Sequence, residues 1–413
     1  MLNVAKLSYE GNKMVDPKET FKFLVYSRAL RSMALIYMTL AFSLYLVVLH
    51  ISIIDIGLVA ATTMLFAIFL TLTLGAIGDR HGYRYELIIS EAFTFAGALL
   101  IALSSNIILV IVGMVIAGIS GGAGGIRGAF SPGMNAIIAS NFSDENERVK
   151  KFSTITMVAS LFSIFGSIMF GSITFLSRYV SIGIAYRYMF LASAFMLMLS
   201  FGFLLLLKEN KRPTKTTKIM KPASFSYILR IIIANSVGGI GMGIAIPLLP
   251  LWFKLFYHAD PFQIGLVFGA SYIITAVGAY TASKISHLTS VLNMASITRS
   301  LNGVFLIAMA FSPIFILSGL FYILRSFFVG VGSPSRSTMT IKGIENEDYG
   351  TATSISGVAT RISQLSSGAS GYLMDYALPL PIFVGGILQF ASGIVYKLIL
   401  NKKDKGGIKT SQL

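Results

Sequence analysis

Gly75-Ala-Ile-Gly-Asp-Arg-His-Gly-Tyr-Arg84 joins two long apolar runs, and its reading decides the fold. The pattern is Gly-x-x-x-Asp-Arg-x-Gly-x-Arg: glycines that permit a tight turn, one carboxylate and two guanidinium groups. The flanking runs, about 56–77 and 85–104, each approach the roughly 20 residues a helix needs to cross a bilayer core. The stretch is therefore a short charged turn between two membrane-length helices.

Composition agrees. Soluble domains carry about 25% charged residues, whereas this chain of 413 residues has 12% charged and 55% hydrophobic residues and a mean hydropathy of +0.77. Such a chain cannot cover its own surface with polar groups. In lipid only helices or closed barrels satisfy the backbone, and barrel strands would alternate polar and apolar residues over about 10 positions. The apolar runs here are continuous and helix-length, which predicts a polytopic all-α membrane protein.

The net charge of +16 is placed asymmetrically. Lys and Arg cluster at 6–31, 148–151, 208–221 and 402–409, and the alternating segments are almost free of them. That asymmetry predicts cytoplasmic location for both termini and for the middle loop, and it speaks for a lipid bilayer partner rather than nucleic acid. The chain has no cysteine, so disulfides and thiolate metal sites are excluded. No cleavable signal is expected at the N-terminus. Asp16-Pro17 reads as a helix start, with Phe21, Leu24 and Val25 placed on the inner membrane surface.

Apolar runs against polar breaks give twelve spans: about 32–50, 56–77, 85–104, 107–139, 150–175 and 185–207, then 226–256, 263–285, 290–311, 314–341, 351–373 and 380–400. The expected organisation is an N-terminal cytoplasmic segment 1–31, a six-helix bundle 32–207, a basic cytoplasmic linker 208–224, a second bundle 225–401 and a cytoplasmic tail 402–413. The halves repeat. Ile54-Asp-Ile-Gly-Leu-Val59 matches Phe262-Gln-Ile-Gly-Leu-Val267 at an offset of 208 (265 minus 57), and Ser131-Pro132 matches Ser333-Pro334 at 202 (334 minus 132). Parallel six-helix repeats with a site at their interface are a known transporter plan.

With the charged turn, the duplication and the basic linker together, residues 32–400 resemble a major facilitator superfamily transporter. Further details resemble its drug:proton antiporter branch: Ile246-Pro-Leu-Leu-Pro-Leu-Trp252, Ala185-Tyr-Arg-Tyr-Met-Phe190 and Glu147-Arg148. There are departures. The antiporter pattern Gly-Pro-x-x-Gly-Gly is reduced to Gly166-Ser-Ile-Met-Phe-Gly171, the second charged turn is eroded to Ser283-Lys-Ile-Ser-His287, and span one contains no carboxylate.

The resemblance implies a fold of two pseudo-symmetric six-helix bundles and a conformational latch at Gly75, Asp79, Arg80, Gly82 and Arg84. In that latch Asp79 would meet the positive N-terminal end of span eleven, while Arg80 and Arg84 pair with acids such as Glu86 or Glu145. The alternative is a solvated charged turn. It also implies that spans one, four, seven and ten line a cavity.

Ionisable residues inside a span cost about 2.5–3.5 kcal/mol on insertion scales and mark functional sites. Arg325 lies about eleven residues into span ten, near the midplane at about 1.5 Å per residue, and Arg361 lies similarly deep in span eleven. Both are substrate-binding candidates, for an anionic or carboxylate-bearing solute, or are neutralised by backbone carbonyls or Asp375. Glu91 is the proton-coupling candidate. It occupies the repeat position of Arg299 (299 minus 91 is 208), and the two also read as structural pairs or helix anchors. Arg127 reads as a snorkelling residue, the glycine run 118–125 as helix packing, and Trp252 as an interfacial belt residue.

Four histidines at loops or span ends show no metal spacing, and no Gly-x-x-x-x-Gly-Lys-Ser/Thr loop exists for ATP. No enzyme activity, metal or cofactor is expected. A channel or scaffold would not explain the duplication. The sequence favours a secondary transporter that exports a small organic solute by alternating access with proton coupling, working as a monomer in the cell membrane. The second reading is an uptake symporter for an organic or inorganic anion.

Overall fold

The structure is a computed structural model that describes residues 17–120, 130–142, 145–209, 222–285, 289–341 and 349–401; some side chains within these ranges, Asp79 among them, lie outside the description. The described residues are helical and form twelve spans in two bundles of six. In the first bundle span one is Pro17–Val48, span two Ile53–His81, span three Tyr83–Leu103, span four Ile107–Ala117 with Phe130–Asn141, span five Glu145–Gly171 and span six Ile182–Leu206. In the second, span seven is Pro222–Ala245 with Leu249–Tyr257, span eight Pro261–Ile285, span nine Val291–Ala310, span ten Phe315–Ile341, span eleven Tyr349–Ser363 with Ser367–Tyr376, and span twelve Leu380–Leu400. Ten of these helices are long and apolar enough to cross a membrane, and spans four and eleven cross in two pieces.

Local chemistry sets the ends. The Ser52 hydroxyl accepts from the Asp55 N–H at the start of span two, Asn106 accepts from Ile108 and Leu109 at the start of span four, and Ser290 caps span nine. Each satisfies a donor that helix geometry leaves open. Span seven breaks around Pro247, which has no N–H to offer the ladder, and restarts with Pro250 in its first turn.

Three sequence expectations change. Span four is not one helix over 107–139, because the helix stops at Ala117 with Gly118 in the left-handed region, φ 71°. Residues 121–129, including Arg127, lie outside the description. Span one begins at Pro17 and carries Leu24, fully buried, into the bundle core with Phe130 and Leu204 instead of along the membrane surface. Trp252 is fully buried and stacked on Phe256 at 5.4 Å, so it is not a belt residue.

The duplication shows in the backbone. His50 (φ 63°) and His258 (φ 55°) are the two non-glycine residues with left-handed φ among those described. They end spans one and seven, 208 positions apart, at the same offset as Gly57 and Gly265. Histidine is among the few residue types that enter this region with modest strain.

Both bundles begin and end their spans on the face that holds the chain ends. On the opposite face the bundles close on each other. A Cβ on Gly57 of span two would sit 2.8 Å from the Gly371 nitrogen of span eleven, and one on Gly265 of span eight would sit 2.7 Å from the Ser167 oxygen of span five. The Phe262 N–H donates to the Thr174 hydroxyl at 3.0 Å, and the rings of Phe175 and Phe262 meet edge to face. One continuous apolar cluster runs from Tyr37 and Tyr45 to Trp252, Phe268 and Tyr322. Toward the terminal face, a Cβ on Gly75 or Gly357 would meet nothing within 4 Å among the described residues. Among the described residues, the closest approach of the two bundles is on the face opposite the chain ends.

Candidate functional site

Four arginines reach polar partners across helices in the middle of the molecule. In the first bundle Arg31 of span one donates to Glu91 of span three in a buried salt bridge. Its guanidinium also reaches the Thr94 hydroxyl at 3.4 Å and lies 4.4 Å over the Phe130 ring. Arg31 and Glu91 are 2% and 0% exposed, so neither has water to fall back on. Breaking such a pair by removing one partner typically costs about 3–5 kcal/mol. The second Glu91 oxygen, Oε1, has no hydrogen-bond partner, so the carboxylate has an open acceptor beside the one it gives Arg31.

In the second bundle Arg325 of span ten donates from Nε to Asn302 Oδ1 of span nine at 2.7 Å. Its Nη2 reaches Met242 Sδ of span seven at 3.3 Å, and the guanidinium lies 5.4 Å from the Tyr322 ring. Neutral groups thus position it, and among the described residues no carboxylate pairs with it. Arg299 of span nine donates to Asn235 of span seven and to the Ser392 hydroxyl of span twelve at 2.9 Å, with its charge over Tyr396. Repeat-equivalent Glu91 and Arg299 therefore each tie the third span of a bundle to its first, the one through the Arg31 salt bridge and the other through the neutral Asn235.

Arg361 of span eleven donates to the Thr71 hydroxyl of span two, a contact between the two bundles. Thr71 lies about 21 Å along span two from Gly57 at 1.5 Å per residue. The bundles therefore touch along span two from Gly57 to Thr71.

The charged turn is built for its backbone. Gly82 sits at φ 109°, ψ 146°, a region essentially restricted to glycine. The Glu209 carboxylate, just after span six, accepts from the Arg84 backbone N–H at 2.7 Å, and Arg84 Nη2 donates to the Leu205 carbonyl at 2.8 Å. Glu209 thereby caps the start of span three, where helix geometry favours an anion. Arg80 is exposed. Glu86 is fully buried, with Gly78 and Gly133 making room for its carboxylate. The Asp79 and Glu145 side chains, and residues 342–348 before span eleven, lie outside the described residues.

Sequence reasoning placed Arg325, Arg361 and Glu91 inside the bundles but missed Arg28 and Arg31, both buried. They read as the end of a basic cluster on the terminal side. The available signal was Asp16-Pro17 as a helix start, because a helix beginning there carries both residues into the bundle. Asn235 and Asn302, which orient Arg299 and Arg325, carried no signal of their own.

The fold matches solved transporters along nearly its whole length. An auto-inhibited POT family peptide transporter superposes with TM-score 0.75 at 11% identity, covering 93% of this chain and 97% of that one. The nucleoside transporter NupG gives 0.72 at 13%, covering 92% and 100%. The human organic anion transporter MFSD10 gives 0.64 at 12%, covering 93% and 100%. At such identities the likeness is one of fold. No curated protein sequence matches. The sequence family described as Major Facilitator Superfamily matches residues 25–365, and with that match over most of its length this multi-pass membrane protein belongs to the major facilitator superfamily of secondary transporters.

Proposed function

We propose that this transporter moves a small organic anion across the cell membrane by alternating access, in symport with protons, as a monomer with both termini in the cytoplasm. The charge of the second bundle carries the reading. From 222 to 341 the one acid is Asp260, in the loop before span eight, and from 349 to 401 the one acid is Asp375, exposed near the far end of span eleven. Arg325 is nonetheless 3% exposed between Asn302 and Met242. A buried guanidinium with only neutral partners is a poor structural element, whereas a carboxylate or phosphate would receive bidentate hydrogen bonds from it. One similar fold, MFSD10, is described as an organic anion transporter.

Arg31 and Glu91 support the coupling. Protonating Glu91 leaves the Arg31 charge buried and unpaired, and an anion in the cavity offsets that penalty. Proton and anion then raise each other's affinity, which is the sign a symporter needs. Proton-driven export, the reading the sequence favoured, needs the proton to expel the solute, and its motif support in Ile246–Trp252, Ala185–Phe190 and Glu147-Arg148 is weakened by the reduced Gly166–Gly171 pattern. On the terminal face Gly75, Asp79, Arg80, Gly82 and Arg84 serve in this reading as the latch that closes the cytoplasmic side, and Arg361 works with Thr71 at the bundle interface.

Counterflow in proteoliposomes, across a panel of monocarboxylates, dicarboxylates, organic phosphates and cationic dyes, tests the reading. Anion exchange that is lost in Arg325→Gln supports it. Exchange of the dyes alone, with Arg325→Gln unaffected, overturns it.

A further inference from the structure

The partners of Arg325 differ in strength, and the difference decides which edge of the guanidinium can take a ligand. An arginine presents its N–H donors in a rigid planar fork and accepts nothing. Asn302 Oδ1 accepts from Nε at 2.7 Å, and Asn302 is itself buried, 3% exposed. Because the guanidinium only donates, the Asn302 amide must face it with its oxygen. With Nε taken, the side edge cannot hold a carboxylate through two parallel bonds, and the end edge of Nη1 and Nη2 remains. There Nη2 meets Met242 Sδ at 3.3 Å. A thioether is a weak acceptor, and a carboxylate would form the stronger, charge-assisted bond in its place.

The surroundings of that edge are apolar. Met242 keeps part of its surface exposed although the glycines on either side of it are buried. A Cβ on Gly241 would collide with Gly385 and Leu388 of span twelve, and one on Gly243 with Gln364 and Ser366 between the pieces of span eleven. Met242 turns instead to span ten, where its sulfur touches the guanidinium. The Tyr322 ring lies 5.4 Å from the same guanidinium and packs on Phe268 at 4.8 Å and Phe253 at 6.4 Å. Among the described residues, none that bonds to Arg325 or stacks on it is charged. One carboxylate thus finds a matching cation. A second negative group on the same ligand would meet a thioether and aromatic rings, where an unpaired charge is costly.

We infer that the transported anion is an organic monocarboxylate with an apolar body. Its carboxylate sits end-on at Arg325 Nη1 and Nη2 in place of the Met242 thioether, and its body lies along Met242 and Tyr322. Asn302 is the positioning residue that aims the guanidinium. The inference rests on the anion reading above and names the substrate class of that same site.

The test is anion-dependent thermal stabilisation of the purified full-length chain in detergent at constant ionic strength, since a ligand that binds the folded state raises the unfolding midpoint. The probes are benzoate, butyrate, succinate and inorganic phosphate. Benzoate and butyrate should stabilise the wild type at concentrations about tenfold or more below those that succinate and phosphate require. In Asn302→Asp the new carboxylate pairs with Arg325 and competes with the ligand's own. The benzoate requirement should rise about tenfold or more while the ligand-free midpoint does not fall. A merely structural asparagine would lower the midpoint and leave the affinity unchanged. Asn302→Leu, which removes the acceptor and adds no charge, should weaken benzoate and narrow its advantage over succinate. If succinate or phosphate matches benzoate in the wild type, or if both Asn302 variants bind benzoate as the wild type does, the inference is overturned and the anion reading stands. If no probe stabilises the wild type, or Arg325→Gln binds them all unchanged, both fail.

Discussion

Gly57 of span two and Gly371 of span eleven meet backbone to backbone on the face opposite the termini, so closely that a methyl group on either would collide with the other helix. Gly265 of span eight, the repeat equivalent of Gly57, makes the matching contact with span five. Small residues let helices approach this way in lipid, and here they bring the bundles together in pairs related by the duplication. Overpacking such a contact costs about 1–3 kcal/mol, enough to shift a two-state equilibrium about 5- to 150-fold. Gly57→Leu should therefore open the far face. The chain has no cysteine, so a single Leu44→Cys, at a position 5% exposed within the closure cluster, reports on it. Maleimide labelling should accelerate about tenfold or more in Gly57→Leu; an unchanged rate would show that the glycine contact does not govern closure.

Trp252 is the sole tryptophan and is packed among Phe253, Phe256 and Tyr257 in that closure. Its emission should be blue-shifted in the wild type and move to the red in Gly57→Leu as water enters. A spectrum insensitive to Gly57→Leu, together with faster labelling at Leu44→Cys, would place the opening away from span seven.

Arg31 and Glu91 should behave as a unit in stability. Glu91→Ala leaves an uncompensated buried charge and should destabilise by about 3–5 kcal/mol, while the apolar double replacement Arg31→Met/Glu91→Leu should recover most of that loss. Thermal unfolding in detergent reads both. Additive losses in the double variant would mean that the two side chains act independently.

The turn after span two depends on Gly82. At φ 109° a side chain is strained by about 1–3 kcal/mol, so Gly82→Ala should lower the unfolding midpoint. Glu209→Gln, which weakens the charge-assisted bond to the Arg84 N–H, should cost less than Gly82→Ala. His50→Gly and His258→Gly should be neutral or stabilise slightly, since glycine enters the left-handed region without a Cβ penalty. Loss of transport in either histidine variant would show a role beyond ending a span.

Much of the architecture was legible because it is written in long-range patterns. Twelve apolar runs, the 208-residue offset and the Gly75–Arg84 turn all survive errors of a few residues at any boundary. The interior was legible where charge stands alone in apolar sequence, as at Arg325. It was hidden where charge stands beside more charge: Arg31 ends a basic cluster that an interfacial helix would also carry. Trp252 misled because tryptophan near a span end reads as a belt residue until packing shows what covers it. The glycine run from Gly118 was read as helix packing, and the left-handed Gly118 instead ends a helix. Asn302 and Asn235 carry no sequence signal, since an asparagine matters only through what it touches.

Proton-driven accumulation tests the whole account most directly. Proteoliposomes holding the purified chain, given an acidic exterior and a labelled organic anion that exchanges in counterflow, should concentrate that anion inside. Glu91→Gln should keep the exchange but lose the accumulation. An acidic exterior that instead drives the anion out, or accumulation undiminished in Glu91→Gln, would contradict a symporter coupled through the Arg31–Glu91 pair.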